Sequence, residues 1–599
     1  MNSIPPILPS SVEPPPILMA PPQRLLLTTS TSGATRHRWR KRVLFLVCGL
    51  TLIGSVVWAT SPRPRLSARS ERATFPREQS FHEIVRDVDR EMDQAIELAT
   101  LSSSDAADWK TICRRLSLAL IGNGLSLEDI RVLEKVPEED RVGWWADYLL
   151  SDRRSADYLA ERFTRATVGT NNGPFLLFRR RMYVDWIADQ IAENVPYDRI
   201  VRQLITATGS WTDSPQVNFL TATMDENDQK QPDVIRLAGR TSRAFLAQRI
   251  DCLQCHQDYL GNVQFTESGK AEDFIDGQTV AAMRTGQQKD FHQLASFFAG
   301  TRMENPFVGL RNTDRDYRVR YLDESVEQSV SPEVPYDGQL LPEHGSPRER
   351  LAIWVTHPKN KAFARAAVNR TWAILFGRPW FAEIDNVPLA GPFPPGFEAV
   401  ANDFIEHGYD WKRLIRVLSQ LKAFQRDSRL SASEPTEEHE ALWAVFPLTQ
   451  LRPEQVAASI HQAARLKTID EDSSIISKLE LFGGVNDFTK AYGDQGDDEF
   501  QESAITIPQR LLVMNGTYTQ ERIKNNPIMN ASTRIAEQTK DDLIAVKAIY
   551  LSVLNREPSG SELNAFCEKL KASGTAGRAN VVEDIFWTLL NSTEFLWNH

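Results

Sequence analysis

Two of the five cysteines in this 599-residue chain stand three positions apart, with a histidine directly behind the second: Cys252-Leu-Gln-Cys255-His256, inside RIDCLQCHQDYLGN. At these residue frequencies the pattern arises by chance in roughly one such chain per thousand, so it reads as chemistry. On a helical turn, positions i, i+3 and i+4 share a face. Two thiols and an imidazole placed there reach one edge and the iron of a single porphyrin. This is the spacing of c-type haem attachment, in which the thiols become thioethers and the histidine the proximal ligand. Cys252 and Cys255 are therefore the candidate attachment residues for haem c, and His256 the candidate ligand of its iron.

Other chemistries remain open for the same residues. Structural zinc needs a fourth donor, which only Asp258 or a distant histidine offers. A redox dithiol would follow a strand of a βαβ unit, whereas the lead-in DVIRLAGRTSRAFLAQRI has a helical pattern. The zinc-deaminase arrangement is excluded, because no His-x-Glu precedes a Pro-Cys-x-x-Cys. Met283, His292 and Met303 are the candidates for a sixth iron ligand, and none is assigned. His292 reads as a boundary residue beside the apolar stripe Phe291, Leu294, Ala295 and Phe298, and the methionines read as core filler.

The remaining polar features read as structure. Cys113 and Cys567 lie in helical apolar patterns and are expected as buried free thiols. Tyr492 to Glu502, YGDQGDDEFQE, lacks calcium-loop spacing and reads as a solvated acidic loop. Asn369-Arg370 in an apolar helix, with Asp385 beyond it, fits a polar tie between helix and loop as readily as a site. Spacing alone names no Ser-His-Asp constellation and no catalytic carboxylate pair, so catalytic residues stay unknown.

Helices must position the Cys pair. RMYVDWIADQIAENVP places Tyr183, Trp186, Ile187 and Ile191 on one face and stops before Pro196. In YDRIVRQLITATG, Asp198 suits the cap, Ile200, Leu204 and Ile205 face inward, and Gly209 suits the end. Ser346-Pro-Arg-Glu349 is a capping box with proline at the first helical position. AFARAAVNRTWAILFG runs to Gly377, and DWKRLIRVLSQLKAF starts on Asp410 with Leu414, Ile415, Leu418 and Leu421 on one stripe. Ser559-Gly-Ser-Glu562 opens another helix. No sustained alternation predicts a sheet.

The fold class expected is mainly α, with two helical domains after an N-terminal disordered tail and a single transmembrane helix. The tail covers residues 1–42 and ends in the basic block Arg36 to Arg42. The uncharged run 43–59, which contains Cys48, is about 26 Å long as a helix and would anchor the chain. The positive-inside bias then sends the body outward, to the periplasmic side of the inner membrane; a cleaved signal is the rival reading. A polar linker spans 60–80, the Cys-bearing domain 81–300, a charged Pro-bearing linker 301–345, and a second helical domain 346–599. A net charge of −10 argues against nucleic acid as a partner.

Several segments resemble a known family. WKTICRRLSLALIGNGLSLEDI, GRTSRAFLAQRIDCLQCH and DFHQLASFFAG are similar to the first domain of planctomycete cytochrome-c-like two-domain proteins. SPRERLAIWVTHPKNKAFARAAVNRTWAILFGRPW, GYDWKRLIRVLSQLKAF, IPQRLLVMNG, IYLSVLNREPSGSEL and WTLLNSTEFL are similar to the second. Both are domains of unknown function, numbered 1549 and 1553. The resemblance implies a CxxCH carried by Cys252, Cys255 and His256. The family's usual continuation, similar to CHDHPFDKW, has a second histidine where this chain has Asp258, which puts any two-histidine metal site in doubt. The function expected is therefore an exported cytochrome-c-like protein with covalent haem and an electron-transfer or redox-sensing role, meeting an unknown envelope redox partner. The alternative is a haem-free envelope interaction or accessory protein, in one version linked to polysaccharide breakdown, with a local metal or disulfide at the Cys pair; enzymatic activity is left open.

Overall fold

Asp108, Asp152, Asp233, Asp410 and Asp541 each stand one residue before a helix, and each carboxylate accepts a first-turn backbone N–H. Such caps satisfy donors that a helix leaves orphaned, and they recur because the chain is built mostly of helices. The computed structural model describes residues 78–599, except 172, 174–177, 225–230, 276–277, 306–307, 382, 471–472, 494–495, 497–499, 501–504 and 527–529, and except the side chains of 268–281.

The helices fall where caps and stripes place them, with small shifts. Ser346 and Glu349 form the reciprocal capping box, with Pro347 at the first position. Lys361–Phe376 ends on Gly377, whose φ of 82° is the left-handed conformation that glycine adopts without strain. Asp410 caps Trp411–Gln420, and Ser559 with Glu562 opens Gly560–Leu590. The expected cap at Asp198 is corrected: Tyr197–Thr206 starts two residues earlier than that cap implies, behind Pro196, and Asp198 lies in its first turn. The helix Gln79–Leu98 begins inside the stretch read as linker.

Two expectations about architecture are corrected. Four two-stranded antiparallel sheets are present among the described residues, the largest pairing Gln264–Ile275 with Gln278–Thr285. Its register shifts between Thr266 and Ala271 and again between Glu272 and Ile275, and such bulges erase the strict alternation that marks a strand in sequence. The expected transmembrane helix is the second correction. No helix among the described residues is long and apolar enough to cross a membrane, and the 43–59 segment lies outside them. The described residues form a mostly helical body with small two-stranded sheets.

The described residues, from 78 on, form one unit. Its larger hydrophobic core draws on both sides of the 301–345 stretch, from Val88 through Phe163, Phe245 and Phe298 to Trp354, Trp372, Trp411 and Phe446. A second core gathers Leu451, Ile460, Val546, Ile549, Ile585 and Phe586. Aromatic rings concentrate in the first, where Trp372 stacks on both Phe376 and Trp380 at 3.8 and 3.7 Å between centroids. The Cys pair sits on the rim of this larger core.

Candidate functional site

The approach to the Cys pair is fixed by the helix Val234–Leu246, which ends with Ala247 at a φ of 49°. Ser242 Oγ donates to the Gln248 carbonyl, and Gln248 Nε2 donates to the carbonyl of Val387. Arg249 then pairs with Asp385 at 2.7 Å. Asn369 behaves as the expected tie between helix and loop: it is fully buried and its Oδ1 accepts the N–H of Phe381 at 3.0 Å.

Asp251–Gln254 is a short 3-10 turn rather than an α-helical one, and Cys255 closes it. The expected shared face of an α-turn is thereby corrected, because three residues per turn bring Cys252 and Cys255 nearly into line and swing His256 away. Cys252, Cys255 and His256 are all exposed, and both thiols are free. Leu253 alone points down, fully buried. It lodges where a Cβ on Gly286 would come within 2.8 Å of its Cδ1, so a larger residue at 286 would have to push Leu253 aside.

Beneath the turn lies a frame of hydrogen bonds. The Gln254 carbonyl accepts from Gln288 Nε2 and from His292 Nε2, both at 3.1 Å. His292 is buried, not a boundary residue, and its Nδ1 lies 2.8 Å from Tyr317 Oη. With both ring nitrogens engaged under the loop, it is a strut rather than an iron ligand. Burial pushes its pKa below the usual imidazole range. Met303 packs against the core, and Met283 lies across the hairpin from Thr266.

Asp258 is buried, and its carboxylate accepts the N–H of Leu260 at 3.2 Å and of Val263 at 2.5 Å. It is the local turn-former of the loop, a role the pattern Asp-Tyr-Leu-Gly could have signalled. Partial burial and the Asp258 carboxylate push the Cys252 thiol up. That is the reverse of the depression expected of a nucleophilic dithiol.

His256 Nδ1 lies 2.6 Å from the Gln257 carbonyl. A carbonyl only accepts, so Nδ1 donates to it, and Nε2 is the ring nitrogen turned away from that bond. The ring stacks on Tyr259, which with Leu260 forms an apolar shelf 72% and 85% exposed. Among the described residues no three His, Cys, Asp or Glu side chains converge to hold a metal ion. Zinc needs all its donors within about 2.3 Å of one point. Thioether attachment needs the thiols only at the edge of a macrocycle, and two exposed sulfurs on one turn are compatible with it.

Elsewhere, Cys113 is buried as expected, whereas Cys567 is only half-buried. Most of the acidic loop 492–502 lies outside the described residues. Two open cavities of about 650 and 730 Å³ are lined by residues such as Asp89 with Lys422 and Asp487 with Arg522, and by none of the Cys loop.

No curated protein and no solved structure matches the chain. Two families do. Residues 87–277 match one described as a protein of unknown function (DUF1549), and residues 347–478 match another described as a protein of unknown function (DUF1553). The chain thus carries these two families in tandem, with the Cys252–His256 loop inside the first.

Proposed function

We propose that the chain carries one haem covalently on the Cys252–His256 loop and uses it to transfer electrons or to sense redox state. In this reading it is one of the planctomycete cytochrome-c-like proteins it resembles, works outside the cytoplasm, and meets a redox partner there. The observation that carries the proposal is the hydrogen bond from His256 Nδ1 to the Gln257 carbonyl, which anchors an exposed ring and leaves Nε2 as the nitrogen that would meet iron. Cys252 and Cys255 would form the thioethers and His256 would bind iron. A haem held there supplies a one-electron iron couple. The loop's own part is to hold the ring and both sulfurs in place through Leu253, Asp258 and the Gln254 carbonyl, and to offer Tyr259 and Leu260 as an apolar shelf.

One observation favours a second reading. The Cys255 N–H donates to the Cys252 carbonyl at 3.4 Å, a turn that brings the two Cα atoms within the span a disulfide bridges. A haem-free interaction or accessory protein would carry the pair in that form. Expression of the full chain with a c-type haem maturation system separates the two. Haem staining after denaturing electrophoresis should show a band that Cys252→Ala and Cys255→Ala abolish. No band beside a loaded control, together with loss of two hydrogens from the pair, would favour the disulfide.

A further inference from the structure

Ser80, Asp403 and His407 are more than 320 positions apart in part, yet they meet where the helices Gln79–Leu98, Phe397–Glu406 and Trp411–Gln420 pack together. Ser80 Oγ lies 3.5 Å from His407 Nε2. The other ring nitrogen, Nδ1, lies 3.1 Å from Asp403 Oδ1 and 2.9 Å from the Asp403 carbonyl. Both of those oxygens accept, so Nδ1 donates to them, and Nε2 is the ring nitrogen that faces the hydroxyl. Ser80 Oγ then donates to His407. Hydroxyl, imidazole and carboxylate stand in the order that activates a nucleophilic serine. Catalytic hydrogen bonds of this length tighten when substrate binds.

Two further features suit the same chemistry. Arg413 Nη2 lies 3.5 Å from Ser80 Oγ, while its guanidinium grips Asp403 through Nη2 at 2.8 Å and Nε at 3.1 Å. A cation beside the hydroxyl stabilises the negative charge that develops during attack. Ser80 is also the second residue of its helix, so its backbone N–H belongs to the group that has no intrahelical acceptor. Asp403 and Arg413 are buried, whereas Ser80 and His407 are half-buried. The reacting pair is reachable from solvent and the orienting pair is not.

We propose that Ser80 is a nucleophile toward carboxylic esters, with His407 as its general base and Asp403 as a positioning residue. Ser80 Oγ bonds to the carbonyl carbon while His407 Nε2 takes the hydroxyl proton. The bond from that carbon to the alcohol oxygen breaks, and the alcohol leaves with the same proton. Water then attacks the acyl carbon, His407 takes its proton and returns it to Ser80 Oγ, and a carboxylic acid departs.

A fluorophosphonate probe tests this on the full chain, since Ser80 Oγ would displace fluoride from phosphorus as His407 takes the proton. Peptide mass spectrometry should find one phosphonyl group on Ser80 and none on the Ser80→Ala chain. His407→Ala should label about 100-fold more slowly, and added imidazole should restore part of the rate, which a merely structural histidine would not allow. No adduct on Ser80, beside a serine esterase that is labelled, overturns the proposal; undiminished labelling of folded His407→Ala removes His407 from it. The wild-type and Ser80→Ala arms decide the nucleophile whether or not the His407 variant folds.

Discussion

The Cys252–His256 loop and the seam around Ser80 hold chemically capable groups by opposite means. In the loop, the thiols and imidazole are exposed and the frame beneath them is made of bonds to backbone: Gln288 and His292 on the Gln254 carbonyl, and Asp258 on two amides. In the seam the frame is itself charged, a buried guanidinium gripping a buried carboxylate. Backbone hydrogen bonds are worth about 1 kcal/mol each and are lost one at a time. A buried ion pair stripped of one partner leaves a charge in a poor solvent. The loop should therefore weaken by degrees, and the seam should fail at a single substitution.

The largest effect is expected from Arg413→Ala. It leaves Asp403 buried without its guanidinium and should lower stability by about 3–5 kcal/mol in denaturant unfolding. A loss below about 1 kcal/mol would put the seam on the same footing as the loop. Leu253→Ala should cost about 2–4 kcal/mol, because it empties the fully buried contact under the turn while leaving every reactive atom of the loop in place. Amide exchange over residues 251–258 should quicken in that variant, and unchanged exchange would show that the loop does not hang on Leu253.

The smallest effect is one of pH. Burial holds the folded pKa of His292 below the ordinary imidazole value, and its bond to the Gln254 carbonyl offsets this only in part. The unfolded chain takes up a proton near pH 6.5 that the folded loop resists. The stability this gives is present above that pH and is lost as pH falls toward the depressed folded value. Exchange at the loop amides, corrected for its intrinsic rate, should rise below about pH 6.5, and His292→Gln should flatten the rise. Identical profiles for the two chains would remove His292 from the frame.

What the sequence made legible follows the same division. The Cys loop is contiguous, so its reactive residues, the helix leading into it and the stripe of the following helix are all visible as spacing. The helix starts at Ser346, Asp410 and Ser559 are visible for the same reason, since a cap and its partner lie within four residues. The strut role of His292 was missed because its partners, Gln254 and Tyr317, lie 38 and 25 positions away. Ser80 was hidden twice, by a separation of 327 positions from His407 and by a proline- and arginine-bearing approach that masked the start of its helix. The hairpin behind the Cys loop escaped because bulges broke its alternation.

The central claim is the haem. The most direct measurement is the visible spectrum of the full chain, purified after co-expression with the maturation apparatus and extracted with acid and acetone. A Soret band that stays with the protein, and that disappears when both Cys252 and Cys255 are replaced by alanine, is the result predicted. Colourless protein from cells that load a control cytochrome would contradict it.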